Sequence, residues 1–255
     1  MSAMLFNSLL FFVSCIFYFS VVVIGYRLFG RPFLYAWSAL SIVIANIEVL
    51  IQVDMFGLHA TLGNSIYACS FLVTDLLSEL YGKKAAHKAV NIGVFTAVVW
   101  VIATQLMTAF MPNDTDFAMS SLKTIFELMP RLALASVFTY AVSQRLDVFL
   151  YHLVWKFTAK RWGKRKHMWS RNLTTMVSQT IDSIAFNIIA FAGVFEIPYL
   201  ISITVVTIVV KMLCVISDTP FLYIMRRVGE KHHGFEVMTE DKGIMSIKEY
   251  EKLYK

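Results

Sequence analysis

The chain has 255 residues, 58% hydrophobic and 16% charged, with a net charge of +6 and a mean hydropathy of +0.64. Soluble domains carry about 25% charged residues, so this composition excludes a conventional soluble enzyme and indicates a membrane protein with several spans of about 20 residues. Its three cysteines, Cys15, Cys69 and Cys214, lie in separate apolar segments with no close pair, so neither a disulfide framework nor a clustered metal site is expected and packing is their assigned role.

Seven apolar segments follow one another, at 5–26, 35–56, 62–81, 89–111, 122–144, 173–195 and 199–225. The first is read as a span rather than a signal peptide, because nothing before Arg27 is basic and a secretory signal begins with a positive region. The third is the weakest, interrupted by Asp75 and Glu79. Charge placement supports it, since short cytoplasmic loops carry the excess of Lys and Arg. Arg27 and Arg31 follow the first segment, Lys83, Lys84 and Lys88 the third, a dense run from Arg145 to Arg171 the fifth, and Arg226, Arg227 and Lys231 the seventh. The intervening loops hold Asp54, Asp114, Asp116, Glu196 and a single Lys123. This alternation predicts seven spans, with the N-terminus outside and the C-terminus cytoplasmic, and it fails if the third is removed. The expected fold is all-α: a polytopic helical bundle forming one membrane domain over 1–228, then a short cytoplasmic tail at 229–255. The first helix is either part of the core of the bundle or an addition to a core of six.

Polar residues inside the spans carry the functional signal. In the second, Asn46 and Glu48 are about 200° apart around a helix, so both cannot face one cavity, and the spacing leaves open which of them does. In the third, Phe71, Asp75 and Glu79 fall at i, i+4 and i+8, placing two carboxylates and a ring on one face. An Asp near the middle of a span costs roughly 2.5 to 3.5 kcal/mol on insertion scales, which makes such an acid a candidate substrate, ion or proton site. In the sixth, Gln179, Asp182 and Phe186 share a face; in the seventh, Lys211 lies near the middle, with Thr204 and Thr207 before it and Asp218 after it. Asp182 and Lys211 are predicted to pair, because either alone would be an uncompensated buried charge. Such a pair either ties two helices together or is opened by a substrate or proton. Gln179 and Phe186 on the same face favour the second reading.

The basic run between the fifth and sixth spans, interleaved with Trp155, Trp162 and Trp169, is expected to be a cytoplasmic loop resting on anionic headgroups rather than a nucleic-acid patch. In the tail, His232 and His233 are assigned no metal, and MSIKEYEKLYK is expected as a short helix with Ile247, Tyr250 and Leu253 on one face. No cofactor is implied. The GxGD and GxSG signatures of intramembrane proteases are missing, as are the spaced aspartates of a phosphatidyl transferase, so an enzyme is not expected. There is no GxxxxGK[ST] loop, so the chain does not itself hydrolyse ATP. Gly25, Gly30 and Gly93 are too scattered to form a small-residue seam, and they leave the oligomeric state open.

Five blocks then match a known pattern: ANIEVLIQVDMFGLHATLG, SFLVTDLLSELYGKK, YAVSQRLDV, DSIAFNIIAFAG and KMLCVISDTPFLY. In this order, across about 37–226, they resemble the queuosine precursor transporter family, also called the vitamin uptake transporter family. The resemblance implies a multi-pass protein of the bacterial cytoplasmic (inner) membrane. It would import 7-cyano-7-deazaguanine, 7-aminomethyl-7-deazaguanine or queuine for tRNA modification. The family positions that match are Asn46, Asp75, Gln144, Asp147, Asp182 and Lys211; matching Asn46 implies that its face of the second span is the lined one, and Glu48 is a departure. These residue types suit the substrate. A carboxylate accepts the N1 and exocyclic amine donors of a deazaguanine together, a Lys, Asn or Gln donates to its carbonyl, and Phe71 and Phe186 offer flat surfaces. Glu79 and Gln179 complete the candidate set. Proton coupling through Asp75, Glu79 or Asp182, facilitated exchange, and recruitment of a separate ATP-driven module all stay open. The alternatives in function are transport of another vitamin-like or nucleobase solute and a non-transporting membrane scaffold.

Overall fold

Uninterrupted apolar sequence becomes long helix in this chain, and the polar interruptions decide which helices can face lipid. The computed structural model describes residues 3–56, 58–127, 129–162, 167–193, 196–232, 236–239 and 243–246. Within them are eight helices: α1 (Ala3–Phe29), α2 (Arg31–Glu48), α3 (Asn64–Tyr81), α4 (Lys83–Ala109), α5 (Met119–Glu127), α6 (Met129–Trp162), α7 (His167–Phe191) and α8 (Ile197–His232). Two small antiparallel hairpins join them, β1 (Gln52–Met55) with β2 (Leu58–Thr61), and β3 (Glu236–Thr239) with β4 (Gly243–Ser246). The molecule is therefore an all-α protein of membrane type.

Among the described residues, three helices are long and apolar enough to cross a membrane by length and composition: α1, α4 and the 197–229 portion of α8. Their outer faces expose rows of large side chains, among them Leu9, Val13, Ile16 and Phe17 on α1, Phe95, Ile102 and Leu106 on α4, and Ile201, Val205 and Val209 on α8. Apolar belts of this size are unsuited to water and suited to lipid. The helix α3 sits inside them. It contacts α1, α2, α4, α6 and α8, and every residue but Tyr67, Glu79 and Tyr81 is buried. Its serines, Thr74 and Asp75 thus meet other helices instead of hydrocarbon, which removes the main objection to the weak third span.

The structure corrects several boundaries. The second apolar segment does not stay helical to residue 56: α2 ends at Glu48, and β1 pairs with β2 from Gln52↔Thr61 to Met55↔Leu58. At the tip of this hairpin Phe56 has φ 55, a conformation disfavoured for a side chain of that size. Contacts to α1 hold it there. The Phe56 N–H donates to Ser8 Oγ (3.0 Å), Asn7 Nδ2 donates to the Asp54 carbonyl (3.1 Å), and the ring packs edge-on against Phe11 and Phe12.

The fifth segment is likewise split, with α5 ending at Glu127 and α6 beginning at Met129. Pro130 in the first turn of α6 is tolerated because the missing N–H has no helical partner there. The Phe126 carbonyl, which residue 130 of a continuous helix would serve, instead accepts Gln105 Nε2 of α4 at 3.1 Å. The basic run is not an extended loop either, since α6 continues through Trp162 and α7 begins at His167. The side chains of Trp155, Trp162 and Trp169 lie outside the described residues. The helix α8 passes the expected end of the membrane domain and runs to His232, and Met245 and Ser246 belong to β4. The expected tail helix at 247–255 and His233 lie outside the described residues.

The three cysteines are free and buried, but they are not isolated from one another: Cys15 of α1, Cys69 of α3 and Cys214 of α8 lie near one another, and Cys214 Sγ donates to the Asn64 carbonyl at 3.9 Å. Residues distant in sequence converge here because α1, α3 and α8 pack together.

Basic residues gather at the end of the bundle opposite the β1/β2 hairpin. There Arg31 lies over the rings of Tyr81 (5.0 Å) and Tyr35 (5.5 Å), Lys88 lies over Tyr35 (5.4 Å), and the Tyr26 and Tyr81 hydroxyls meet at 3.0 Å.

Candidate functional site

At the hairpin end, a cavity of about 710 Å³, counted out to its mouth, opens between α2, α3, α4, α6, α7 and α8. Its lining follows the helices inward. The mouth is formed by Val49, Gly63, Asn64, Phe191 and Ile203; deeper positions are Asn46, Thr139, Phe186, Asn187 and Thr207; and the floor is Tyr67, Tyr140, Asp182 and Lys211. From Ile203 to Lys211 is eight residues of α8, a depth of about 12 Å.

The floor is an ion pair with a full set of partners. Lys211 Nζ lies 2.6 Å from Asp182 Oδ2, as the similar depth of the two residues predicts. The other oxygen, Asp182 Oδ1, accepts Tyr67 OH and Ser143 Oγ, each at 2.8 Å. Lys211 Nζ also stands 4.6 Å from the centroid of the Tyr67 ring. Four helices, α3, α6, α7 and α8, therefore each supply one side chain to a single carboxylate cluster. Charges this deeply buried persist only when paired and hydrogen-bonded.

Of the residues singled out in the sequence, Asn46, Phe186, Asp182 and Lys211 line this cavity. Asn46 Nδ2 donates to the Ile42 carbonyl of its own helix (2.8 Å). Glu48 turns away to α1, where Tyr18 OH donates to it at 2.6 Å; this accounts for the acid on the opposite face of α2. Phe71 is fully buried behind the floor, edge-on to Tyr67 at 5.5 Å, so it does not offer the stacking surface expected of it.

The remaining candidates lie beyond the floor. Gln144 Oε1 accepts Thr74 Oγ1 (2.9 Å) and its Nε2 donates to Ser70 Oγ (3.0 Å). Ser178 donates to Asp147 Oδ1 (2.7 Å), and Thr175 donates to Asp75 Oδ2 (3.4 Å). Gln179 is buried, and neither of its amide atoms has a hydrogen-bond partner. Glu79 is farthest away, held by Arg226 Nη1 (3.0 Å) and by the Tyr151 hydroxyl. No cluster of His, Cys, Asp or Glu among the described residues has the grouping of a metal site.

Tyr67, Tyr140 and Ser143 were not read as site residues. Tyr67 is four residues before Phe71 and eight before Asp75, so the helical spacing already contained it; its type, common in any core, concealed it. Tyr140 reaches the floor because α4 has no side chain at Gly93, where a Cβ would stand 2.6 Å from the Tyr140 hydroxyl.

Comparison with known proteins gives the family. Residues 61–225 match a family model described as "Putative vitamin uptake transporter". A "Probable queuosine precursor transporter" of Bacillus subtilis (strain 168) is 32% identical over 225 residues, covering 88% of this chain and 96% of that protein. The chain belongs to the queuosine precursor transporter family. The "Queuosine precursor transporter" of Escherichia coli (strain K12) is 27% identical over 154 residues, 60% of this chain and 64% of its own. A "Probable queuosine precursor transporter" of Haemophilus influenzae (strain ATCC 51907 / DSM 11121 / KW20 / Rd) is 29% identical over 98 residues, 38% and 40% of the two chains. No solved structure matches the chain significantly. This is a family of transporters, not of enzymes, and the family-matched region contains the whole floor of the cavity, Tyr67, Tyr140, Asp182 and Lys211, with Ser143 behind it.

Proposed function

We propose that this protein imports queuosine precursors, carrying the 7-deazaguanine base through the cavity floored by Asp182 and Lys211. The observation that carries the reading is that ion pair, buried at the bottom of an otherwise uncharged chamber and shared by four helices. A deazaguanine edge presents two donors beside one acceptor. Asp182 would accept the donors and Lys211 would donate to the carbonyl, so the base replaces each partner's bond to the other. An adenine-like edge cannot do this and would leave a buried charge unmet, which makes the pair a selectivity filter as well as a binding site. Phe186 and Tyr67 supply flat surfaces, and Asn46 contributes a second amide at the wall. Asp75, Gln144, Asp147 and Gln179 belong to the inner half of the path.

In this reading seven helices, all but α5, span the bacterial inner membrane. The N-terminus and the β1/β2 hairpin are outside, and the Arg- and Lys-rich end is cytoplasmic, as the distribution of basic residues supports. The cavity then faces outward, ready to receive substrate. Energy for accumulation would come from the proton gradient acting on the buried carboxylates, with exchange or a partner module as the alternatives.

The test is complementation. A host unable to make 7-deazaguanines and lacking its own carrier is given this chain and each precursor in turn, and queuosine is assayed in its tRNA. Restoration by the parent and loss with well-expressed Asp182→Asn supports the reading and names the substrate. Failure with every precursor despite membrane insertion overturns it. Collapse of the proton gradient should lower uptake if import is proton-driven and leave it unchanged if it is not.

A further inference from the structure

The cavity stops at the Asp182 and Lys211 pair, but the polar side chains do not. Beyond the pair, the same four helices keep presenting polar groups to one another: Thr74, Asp75 and Ser78 from α3; Gln144 and Asp147 from α6; Thr175, Ser178 and Gln179 from α7; and Asp218 and Thr219 from α8. Buried polar groups are expensive in a membrane protein and concentrate where they line a path. A purely structural use would satisfy them, yet Gln179 leaves both amide atoms unpartnered and Ser78 leaves its hydroxyl so. Helical geometry places both inside the column. Ser78, eleven residues after Tyr67, returns to within about 20° of its face and lies about 16 Å farther along. Gln179 is within about 20° of Asn172 around α7, and Asn172 bonds Thr219 of α8 at 2.8 Å.

The column ends in a second ion pair. Arg226 Nη1 lies 3.0 Å from Glu79 Oε1, both side chains being largely buried, and Tyr151 donates to the other carboxylate oxygen. Three helices, α3, α6 and α8, thus close on one carboxylate, repeating at the far end the construction of the floor. Pro220 lies within α8 between Lys211 and Arg226. It has no N–H for the Ile216 carbonyl, so the helix is weakest between the two ion pairs, where prolines commonly permit a bend.

We propose that this column is the inner half of the translocation path and that Glu79, Arg226 and Tyr151 form the gate that closes it. Gln179 is its intermediate binding station: a carboxamide presents one acceptor and one donor side by side, matching the adjacent N–H and C=O of a purine-like lactam that has left Asp182 and Lys211. The identity of that ligand rests on the transport reading above, whereas the gate itself does not.

The experiment separates the two. Ser78→Cys is placed in the native background, whose three cysteines are buried, and a membrane-impermeant maleimide is applied to right-side-out and inside-out vesicles. Labelling should be slow from both sides in this single variant. Adding Arg226→Gln or Glu79→Gln should raise labelling from the inner face about tenfold, and the milder Tyr151→Phe by less, as expected for loss of hydrogen bonds to a charged group. The outer-face rate should not change. Unchanged inner labelling in variants that melt as cooperatively as the parent overturns the gate, as does labelling from the outer face in the single variant. Thermal shift of the purified parent by 7-cyano-7-deazaguanine is measured in parallel. If that ligand does not bind, the substrate assignment fails while the labelling result still decides the gate; if it binds the parent but Gln179→Leu transports normally, the intermediate station is overturned.

Discussion

Two consecutive helices, α3 and α4, are joined only by Gly82, which turns the chain at φ 79, yet they solve opposite problems. The helix α4 buries a stripe of small residues, Ala86, Ala89, Val90, Gly93 and Ala97, against the bundle and sends Phe95, Ile102 and Leu106 outward. Small residues let helices approach closely, and large apolar ones suit lipid tails. The helix α3 is enclosed by five neighbours and has almost no outward face, so nothing requires it to be apolar. Accordingly α4 is long and apolar enough to cross a membrane and α3 is not. Hydropathy locates the helices with apolar outer faces; a helix enclosed by others, as α3 is, can carry more polar residues for that reason.

The comparison is sharpened most by the pair on which α3 closes. Asp182→Asn or Lys211→Met should reduce uptake by more than about 100-fold and destabilise by about 3–5 kcal/mol, because each leaves one buried charge unpaired. The double variant should regain much of the melting temperature in detergent and none of the uptake. Equal instability of single and double variants would mean that the pair is not the cost. Next in size, an acid on the lipid face of α4, Val98→Asp, should lower membrane insertion by about 2.5–3.5 kcal/mol. Ser78→Ala in α3 should be close to neutral, since it removes a buried hydroxyl that has no partner. Similar losses in an insertion assay would break the distinction between the two helices.

Smaller effects test where the helices touch. Gly93→Ala should cost about 1–3 kcal/mol by overpacking against Tyr140, and it should weaken substrate binding because Tyr140 belongs to the cavity floor. Asn46→Ala should weaken apparent affinity about tenfold, whereas Glu48→Gln, on the opposite face of α2, should cost about 1 kcal/mol of stability and leave affinity unchanged. Concentration-dependent uptake distinguishes the two. Phe95→Ala, on the lipid face, should stay within about 0.5 kcal/mol of the parent.

Much of this was legible in the residues. Asp182 and Lys211 were readable because two opposite charges at matching depth have few alternatives to each other. Charge alternation pointed to a third span where hydropathy alone would have discarded it, and the segment is a helix, α3. The hairpin was passed over because Val53, Met55 and Phe56 extend the apolar run of α2, although the alternation of Gln52, Val53, Asp54 and Met55 followed by Gly57 is a strand-and-turn signal. The break before α6 was signalled by Pro130, which a reading by hydropathy passes over. Tyr67 and Ser143 could not be told from core residues, since their role comes from meeting Asp182 across 115 and 39 residues of sequence. The cysteines converged for the same reason: contacts between distant helices are not encoded in spacing.

That convergence has a practical side. With Cys15, Cys69 and Cys214 all shut away where α1, α3 and α8 meet, the unaltered protein should be silent to thiol reagents while its first helix stays docked. It thereby carries its own alarm. Thiol labelling of the native chain during turnover would register α1 parting from the bundle, and persistent silence would mark that helix as a fixed strut around which the rest of the carrier moves.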